Sequence, residues 1–516
     1  FEQVLVLVDG VPASDAQTGH FDLNLTVPLD GVERIEVLRG AGSSVHGADA
    51  MGGIVNVVTR SPGARPAGRV RLEGGSFGRA AGSLRLDGGF GEWRATVSSR
   101  MDRSDGHRAG VDHDVRLGQL RLVGPLAGGR LDVQAGAAAR DFGADGFYAP
   151  FPSYEETRAR TISARWARPL GAGGASGASG AVDVVVHDRV HDDDFVLRRG
   201  DPAFYRNVHT SRQSGVDVTL RRASGAWGWL VGAGVGRDDL ESTNLGDRSA
   251  DRGAVFGELG WSSARARVRA GVRLDGREEF ASTWAPSLSA GWAIGPRLGL
   301  RAAVARSFRT PTWTDRFYED PANRGDPNLA VETAWSSEAG LDWTLASGSR
   351  LRLTGFVRDA RDLIDYARPA DAPDDAVWQS RNVESARFGG VEFDLVDVAL
   401  GPARLDAGVE LLDVSTSESG DWVSKYALRP LTRTVTLGVR TPVVGGATVA
   451  IRAEHRRRGE DETWTAADLR IEVPVGRARL WVDAANLGDA RWLDVSGLAA
   501  PGRAFRTGLS VDFGGS

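Results

Sequence analysis

From Pro66 to the end of the chain, polar and apolar side chains alternate with a period of two. A strand with this period has one polar face and one apolar face, as in a sheet that packs on one side only. Runs of this kind, counted between turn signals, number about 22, an even number in the range of membrane barrels. An open soluble sheet of that size would split or curl. The pattern therefore favours an all-β fold, a 22-stranded antiparallel transmembrane β-barrel over residues 66–516.

The connections between these runs alternate between short and long. The short ones are 225–226, 262–263, 295–296 and 401–403, and the long ones include 143–156, 198–209, 315–329 and 369–377. Outer-membrane barrels have short periplasmic turns and longer extracellular loops, with polar side chains in the lumen and apolar ones against lipid. We therefore expect Arg267, Arg269 and Arg352 to face the lumen. The residues expected to face lipid are Val268, Val272, Leu351 and Leu353.

Composition agrees with a barrel and argues against other classes. The 516 residues have a mean hydropathy of -0.25, and no apolar run approaches the roughly 18–20 residues of a membrane-spanning helix. The net charge of -5 and the sequence pI near 6.0 argue against a protein that binds nucleic acid. The absence of cysteine leaves no disulfide framework to interpret.

The first 65 residues follow a different pattern. Charged and aliphatic residues alternate over Arg34–Arg39, which predicts a half-buried strand. Glycines then mark a turn, and the β-branched run Ile54–Val58 predicts a second strand. Leu5–Pro12 predicts a further apolar strand. Together these segments predict a small α/β module.

These segments resemble the plug domain of TonB-dependent outer-membrane receptors. The family signature joins an I-E-V-x-R-G strand to a Y-G-x-x-A-x-G-G-x-x-N-x-x-T segment, which here run from Ile35 to Gly40 and from His46 to Thr59. His46 stands where the family usually has an aromatic residue. Residues 306–340 and 486–513 are similar to barrel segments of the same family. The resemblance implies that residues 1–65 are the C-terminal part of a plug in the lumen, and we expect an amino-terminal piece to be missing.

The function that the resemblance implies is import of a scarce, large solute across the outer membrane of a Gram-negative bacterium, driven by TonB through the missing amino-terminal segment. Residues 141–158 and 191–205 are similar to cobalamin-receptor-like members, so cobalamin or a ferric siderophore is the expected cargo. A monomer surrounded by outer-membrane lipid is expected. The alternative is a passive porin or an adhesin-type barrel, and the plug signature argues against it.

Candidate site residues fall into two groups. Plug arginines of this family latch the plug to wall glutamates, so the resemblance implies that Arg39 pairs with Glu338 and Glu392, with Glu332 as the next candidate. The loops 143–154 and 192–205 are expected to bind cargo because aromatic faces can bury a large ring-bearing solute. The aromatic candidates are Phe147, Tyr148, Tyr154, Phe195, Phe204 and Tyr205.

Signals for metal binding and catalysis are weak or absent. The run Asp192, Asp193 and Asp194 could bind calcium through carboxylate oxygens, although a solvated loop is the simpler interpretation. No other cofactor is indicated. The glycine-rich stretch Gly74–Gly78 contains a G-x-S-x-G match, but it joins two predicted strands without opening a helix, so it is a turn rather than a nucleophile elbow. No H-E-x-x-H or Walker motif occurs. The alternative of a membrane-embedded barrel enzyme therefore lacks a nucleophile and base, and we expect no catalytic activity.

Overall fold

The computed structural model describes residues 3–40, 47–148, 150–171, 179–373, 375–416, 421–425, 430–459 and 462–514. Within these residues it shows a closed antiparallel barrel and a small second sheet inside the lumen. The fold predicted from the period-two alternation is therefore confirmed. His46 lies outside the described residues.

The inner sheet, the plug sheet, has four strands in the order β2-β1-β4-β3. These are β1 (Val4–Val8), β2 (Val11–Pro12), β3 (Val32–Arg39) and β4 (Gly53–Thr59). Strands β1 and β4 run parallel, with Leu5 opposite Ile54. Leu5, Leu7, Ala50 and Ile54 form its buried core, which explains the apolar runs that predicted β1 and β4.

One detail of the plug sheet differs from the sequence predictions. Strand β3 was expected to be half-buried, but it is the edge strand of the sheet and is exposed over nearly its whole length. The described part of the plug contains no α-helix, only short 3-10 helices at Gly19–Phe21 and Leu29–Gly31.

The barrel ring contains β5 to β28, and setting aside the short strands β18 and β23 leaves 22 wall strands. The ring closes where β28 pairs with β5, with Leu509 opposite Leu72. The strands of the ring are β5 (Ala67–Gly75), β6 (Arg79–Phe90), β7 (Trp93–Ser104), β8 (His113–Leu126), β9 (Gly129–Gly143), β10 (Tyr154–Leu170), β11 (Ser179–Val196), β12 (Arg206–Ser224), β13 (Trp227–Ser242), β14 (Arg248–Ser262), β15 (Ala266–Arg277), β16 (Phe280–Ala293), β17 (Leu298–Arg309), β18 (Asn323–Arg324), β19 (Glu332–Thr344), β20 (Arg350–Pro369), β21 (Trp378–Leu400), β22 (Ala403–Thr416), β23 (Trp422–Ser424), β24 (Leu431–Pro442), β25 (Thr448–Arg458), β26 (Glu462–Val475), β27 (Ala478–Ala485) and β28 (Ala504–Gly514).

Helices are few in the described residues. The single α-helix, α1 (Trp313–Phe317), lies in the connection between β17 and β19. A further 3-10 helix spans Val444–Gly446. No helix among the described residues is long and apolar enough to cross a membrane.

The orientation of the wall side chains follows the predicted parity. The guanidinium of Arg273 reaches the plug, where a Cβ added to Gly47 would lie 3.0 Å from it. Arg267 and Arg269 share the face of Arg273, because β15 and β16 pair without a register shift until Asp275. On β20, Arg358 likewise reaches plug residue Gly52, and Arg352 has the same parity. The residues of opposite parity, which face outward, include Val268, Val272, Leu351 and Leu353, so the inward and outward faces of these strands are as predicted.

Several strands extend well beyond the membrane. A tilted strand crosses it with about 9–11 residues, whereas β11 has 18 and β21 has 23. The outward face of β11 is apolar at Val182, Val184 and Val186, and its next outward residue is Asp188. Charged residues therefore begin on the outward face of β11 at Asp188. The predicted loop 192–205 is corrected accordingly, because β11 continues to Val196 before the chain turns.

The plug sits directly against the wall. The clearest sign is Gly136 of β9, where an added Cβ would lie 2.3 Å from Oγ1 of plug residue Thr26. The same threonine hydroxyl lies 2.8 Å from Oγ1 of Thr161 on β10. A side chain at position 136 would therefore displace the plug segment that follows β2.

Candidate functional site: the plug latch and the extracellular mouth

The plug segment after β2 is fixed to the wall through Asp15. Its carboxylate is buried and accepts hydrogen bonds from Arg189 on β11 at 2.6 Å and from Ser211 on β12 at 2.9 Å. Nδ1 of His191 lies 3.3 Å from it. Burial on its own would raise the pKa of Asp15, but the charges of Arg189 and His191 outweigh burial and the pKa is lowered. A charged Asp15 therefore latches the plug to two adjacent wall strands.

Local bonds give this segment its shape. Oδ1 of Asp15 accepts the backbone N–H of Gln17 at 3.0 Å, and Oδ1 of Asp22 accepts the backbone N–H of Asp15 at 3.0 Å. These are the turn-forming bonds that aspartate side chains make to nearby backbone. Further along, Asn24 reaches Nε2 of His191 at 3.2 Å. The segment thus folds back on itself and presents Asp15 to the wall.

The ion pair predicted at Arg39 is exposed to water, unlike the buried pair at Asp15. The Arg39 guanidinium contacts the Glu392 carboxylate, and Asp394 lies 4.0 Å away. Glu338 comes close to the plug at Gly40, where an added Cβ would lie 3.5 Å from Oε2. The Arg39 side chain is 60% exposed within the lumen, and ion pairs open to water typically contribute only about 0–1 kcal/mol. The buried Asp15 pair is the stronger tie on these grounds.

Glu332 is not a partner of Arg39, which corrects one candidate. Its buried carboxylate accepts hydrogen bonds from Arg309 at 2.6 Å and from the backbone N–H of Ile364 at 2.8 Å. It still touches the plug, because Nε2 of Gln3 donates to it at 3.1 Å. Arg309 also donates to Asp315 of α1 at 3.0 Å. Glu332 therefore links the start of the plug sheet to the long connection that carries α1.

Four of the six predicted cargo-binding aromatics meet at the extracellular mouth, and we call Phe147, Tyr148, Phe195 and Tyr205 the mouth cluster. Ring centroids are 4.8 Å apart for Phe147 and Tyr148, and 5.0 Å for Tyr148 and Phe195. Tyr205 follows at 6.5 Å from Phe195. The plug residue His20 lies 6.0 Å from Phe147 and 6.1 Å from Tyr148. The mouth cluster thus joins two loops to the top of the plug.

The phenols of the mouth cluster have defined partners. The Tyr148 hydroxyl donates to Oε1 of Glu155 at 2.5 Å. Burial, reinforced by the adjacent Glu155 charge, raises the pKa of Tyr148 well above its usual range, so the phenol stays protonated as a donor. The Tyr205 hydroxyl accepts from Asn207 at 3.1 Å and from Asn244 at 3.2 Å. Their orientation is therefore held by hydrogen bonds as well as by ring packing.

The remaining two aromatic candidates lie elsewhere. Phe204 stacks under Arg198, with 3.5 Å from the guanidinium carbon to the ring centroid. Tyr154 has the outward parity of β10 and lies under Arg199 at 4.1 Å. Cation–π contacts of this kind stabilise loop structure. Neither residue joins the mouth cluster in the structure.

The predicted calcium ligands are separated by the pleat of β11. Successive side chains of a strand point to opposite faces, so Asp193 faces inward while Asp192 and Asp194 face outward. Asp192 pairs with Arg160 at 3.1 Å and Asp194 with Arg206. No group of three or more His, Cys, Asp or Glu able to hold a metal occurs within the described residues. The expectation of one calcium site in this run is corrected, because the three carboxylates do not converge.

The closed barrel, the sheet in its lumen and the aromatic mouth define the class: a plugged β-barrel of the outer membrane. Family models agree, matching "TonB-dependent Receptor Plug Domain" at residues 1–54 and "TonB dependent receptor-like, beta-barrel" at residues 56–507. The chain belongs to the TonB-dependent receptor family of Gram-negative outer membranes.

Individual relatives are similar at a moderate level. The Vitamin B12 transporter BtuB of Vibrio vulnificus is 23% identical over 411 residues, covering 76% of this chain and 64% of its own length. An iron-regulated outer membrane virulence protein of Vibrio cholerae is 25% identical over 407 residues, covering 70% of this chain and 59% of its own. The chain thus spans about two thirds or less of these two curated relatives. The siderophore receptor PirA from Pseudomonas aeruginosa superposes with a TM-score of 0.80 at 18% identity, covering 99% of this chain and 91% of PirA, which supports the fold.

Proposed function

We propose that this protein imports cobalamin or a ferric siderophore across the outer membrane, with energy supplied by TonB. The observation that carries the proposal is the mouth cluster, where loop aromatics meet His20 of the plug above a closed lumen. A passive porin needs an open lumen, and here a sheet tied to the wall at Asp15 lies inside it. The names of the relatives supply both cargo classes.

The mouth cluster is suited to cargo with large rings. Phe147 is exposed at the cluster edge, and Phe195 is buried behind it and supports Tyr148. Aromatic faces provide apolar contact at low entropic cost, and the fixed phenols orient polar groups. The proposed function is transport without catalytic activity. We further propose that the protein acts as a monomer surrounded by outer-membrane lipid.

The test is equilibrium binding of cyanocobalamin and of ferric enterobactin to the purified full-length protein by titration calorimetry. For the probe that binds, replacing Phe147, Tyr148 and Tyr205 together by alanine is expected to weaken affinity by at least about 10²-fold, since each lost ring is worth on the order of 1 kcal/mol or more. Trp335→Ala is the matched control, because Trp335 lies on the outward face of β19. Equal affinity of the triple variant and the parent would remove the mouth cluster from the site.

A further inference from the structure

Strands β24 and β25 each carry an outward-facing arginine at the extracellular end. Glu392 of β21 contacts the plug and therefore faces the lumen. Glu410 of β22 lies opposite Glu392, and Thr434 of β24 lies opposite Glu410. Successive side chains of a strand point to opposite faces, so Arg433 faces outward, and so does Arg457, its partner in register on β25. Both lie at the end of the barrel that carries the mouth cluster, because consecutive wall strands are joined at alternate ends.

The outward face of β24 to β28 carries positive charge but no negative charge. Among the described residues, its charged or titratable side chains are Arg433, His455 and Arg457, which we call the basic rim. The other outward positions of these five strands hold only apolar or threonine side chains. An anion that approaches this face from the membrane therefore meets no carboxylate on it.

Outward arginines of β12 and β13 are neutralised by acidic neighbours. Arg212 pairs with Asp188 at 2.7 Å. Arg237 pairs with Asp239 at 2.9 Å. Arg433, in contrast, forms no ion pair with a carboxylate in the part of the chain that the structure describes. Its charge is therefore available to a ligand from outside the protein.

The imidazole of His455 holds Arg433 in place without neutralising it. Nη2 of Arg433 lies 3.0 Å from Nε2 of His455, and a guanidinium can only donate, so Nε2 accepts. The proton of the neutral ring is then on Nδ1, which donates to Oγ1 of Thr465 at 2.9 Å. In the second arginine, Nε of Arg457 donates to the backbone carbonyl of Gly459 at 3.1 Å. Both guanidiniums are thus oriented by bonds that leave their positive charge intact.

The basic rim lies at the level of the lipid headgroups. A tilted strand crosses the membrane with about 9–11 residues. Strands β24, β25, β27 and β28 have 12, 11, 8 and 11 residues, whereas β11 and β12 have 18 and 19. This side of the wall therefore ends close to the membrane surface. Below the rim, Leu437 and Ile451 are exposed on the same outward face, so a lipid can meet positive charge and apolar surface at one place.

We propose that the basic rim binds the phosphate groups of an anionic lipid in the outer leaflet. A guanidinium can bind two phosphate oxygens at once. Like charges directly opposite each other on paired strands are destabilising, and a phosphate between Arg433 and Arg457 offsets that repulsion. The acyl chains lie against Leu437 and Ile451, a contact that free phosphate cannot make. The site is on the lipid side of the wall and is independent of cargo and of TonB.

Native mass spectrometry of the full-length protein in a neutral detergent measures its affinity for diphosphoryl lipid A. Replacing Arg433 and Arg457 together by alanine is expected to weaken that affinity at least about tenfold, because each arginine near an anionic lipid contributes a factor of about five. The matched control replaces Arg212 and Arg237 together by alanine, which removes the same charge from arginines that have acidic partners. The control is expected to stay within about threefold of the parent. Equal affinities of the two double variants would overturn the proposal.

Three further measurements separate a phosphate-binding lipid site from other causes. Added sodium chloride should weaken lipid A binding more in the parent than in the variant that lacks Arg433 and Arg457, because salt screens exposed charge. Dioleoylglycerol, which has no phosphate, should bind both proteins equally, and a matching loss of its affinity would show lost packing instead of a lost phosphate contact. Excess inorganic phosphate should leave lipid A bound, and displacement would contradict a lipid site. If lipid A did not bind the parent protein, this proposal would fail and the proposed import would be unaffected.

Discussion

Replacing Asp15 by asparagine is expected to loosen the plug without unfolding the barrel. The substitution keeps the shape of the side chain and the acceptor for the Gln17 N–H, but it removes the charge that faces Arg189 at 2.6 Å. Asp15 is 4% exposed and Arg189 5%, so water cannot replace the lost partner. Stranding one member of a buried ion pair costs about 3–5 kcal/mol. Residual bonds to Ser211 and to the amide offset part of this, so a net cost of about 3 kcal/mol is expected.

That cost translates into a measurable local effect. At about 1.4 kcal/mol for each factor of ten, hydrogen exchange over residues 13–22, measured by mass spectrometry, should rise about 10²-fold in Asp15→Asn. The matched control is Asp112→Asn, which removes the same charge from an exposed pair with Arg199 and should change exchange less than about threefold. The thermal transition of the barrel strands should stay in place in both variants. Exchange in Asp15→Asn within about twofold of the control would refute the latch at Asp15.

The same carboxylate predicts a pH dependence. The pKa of Asp15 in the folded protein lies below the ordinary value of 3.8. A group whose pKa is depressed by folding stabilises the folded state above its ordinary pKa, and that stability is lost as the pH falls through the folded pKa. The contribution of Asp15 to the protection of residues 13–22, corrected for intrinsic exchange, should therefore be lost only below pH 3.8. Burial lowers the pKa of His20 in the same segment from 6.5 to about 4, so total protection should already decline as the pH falls from 6.5 toward 4. The difference in protection between the parent and Asp15→Asn proteins isolates the Asp15 contribution, and a difference that disappeared well above pH 4 would point to a different titrating group.

Two further predictions follow from the wall and from the lumen. Arg39→Ala should raise exchange over β3 by less than about fivefold, because its pair with Glu392 is open to water; a 10²-fold rise would show that this pair is the principal latch. Val272→Arg should lower barrel stability in lipid by about 2–4 kcal/mol. Its control, Ser289→Arg on the lumen face of β16, should lower barrel stability by less than about 1 kcal/mol. Refolding titrations in lipid vesicles measure both values, and equal losses of stability would contradict the assigned faces.

The barrel was predictable because its physical requirement is local and repeated. Each wall strand must present one apolar face to lipid. Polar and apolar side chains therefore alternate along every wall strand, as in residues 264–275. Turn residues mark the connections between these strands. The exposure of β3 was not predictable from its alternation, since an edge strand and a half-buried strand can share that pattern.

The site was only partly predictable because its contacts join distant parts of the chain. Asp15 meets Arg189 and Ser211 across 174 and 196 residues, and no local pattern marks Asp15 as buried. The calcium candidates could have been judged from the sequence, because the alternation along a strand decides which face each side chain occupies. Parity continued from Val186 puts Asp193 on the inner face of β11 and Asp192 and Asp194 on the outer face. The alternation of the strand is therefore itself a signal that these three carboxylates do not converge.

The mouth cluster shows an intermediate case. Loop length and aromatic content predicted Phe147, Tyr148, Phe195 and Tyr205 as cargo-binding residues, and the structure brings these four rings together. They did not distinguish these from Phe204 and Tyr154, which stack under arginines instead. Which aromatic ring turns inward depends on where each strand ends, and strand ends are poorly marked in sequence.

The central claim is energised import through a plugged barrel, and uptake by whole cells tests it most directly. The full-length protein would be expressed in cells that lack their own cobalamin and catecholate-siderophore receptors, with and without a functional TonB. Radiolabelled cyanocobalamin and ferric enterobactin serve as the two probes. The account predicts accumulation of one probe in cells with TonB, with accumulation abolished when TonB is absent. Equal uptake with and without TonB, or uptake of neither probe, would contradict it.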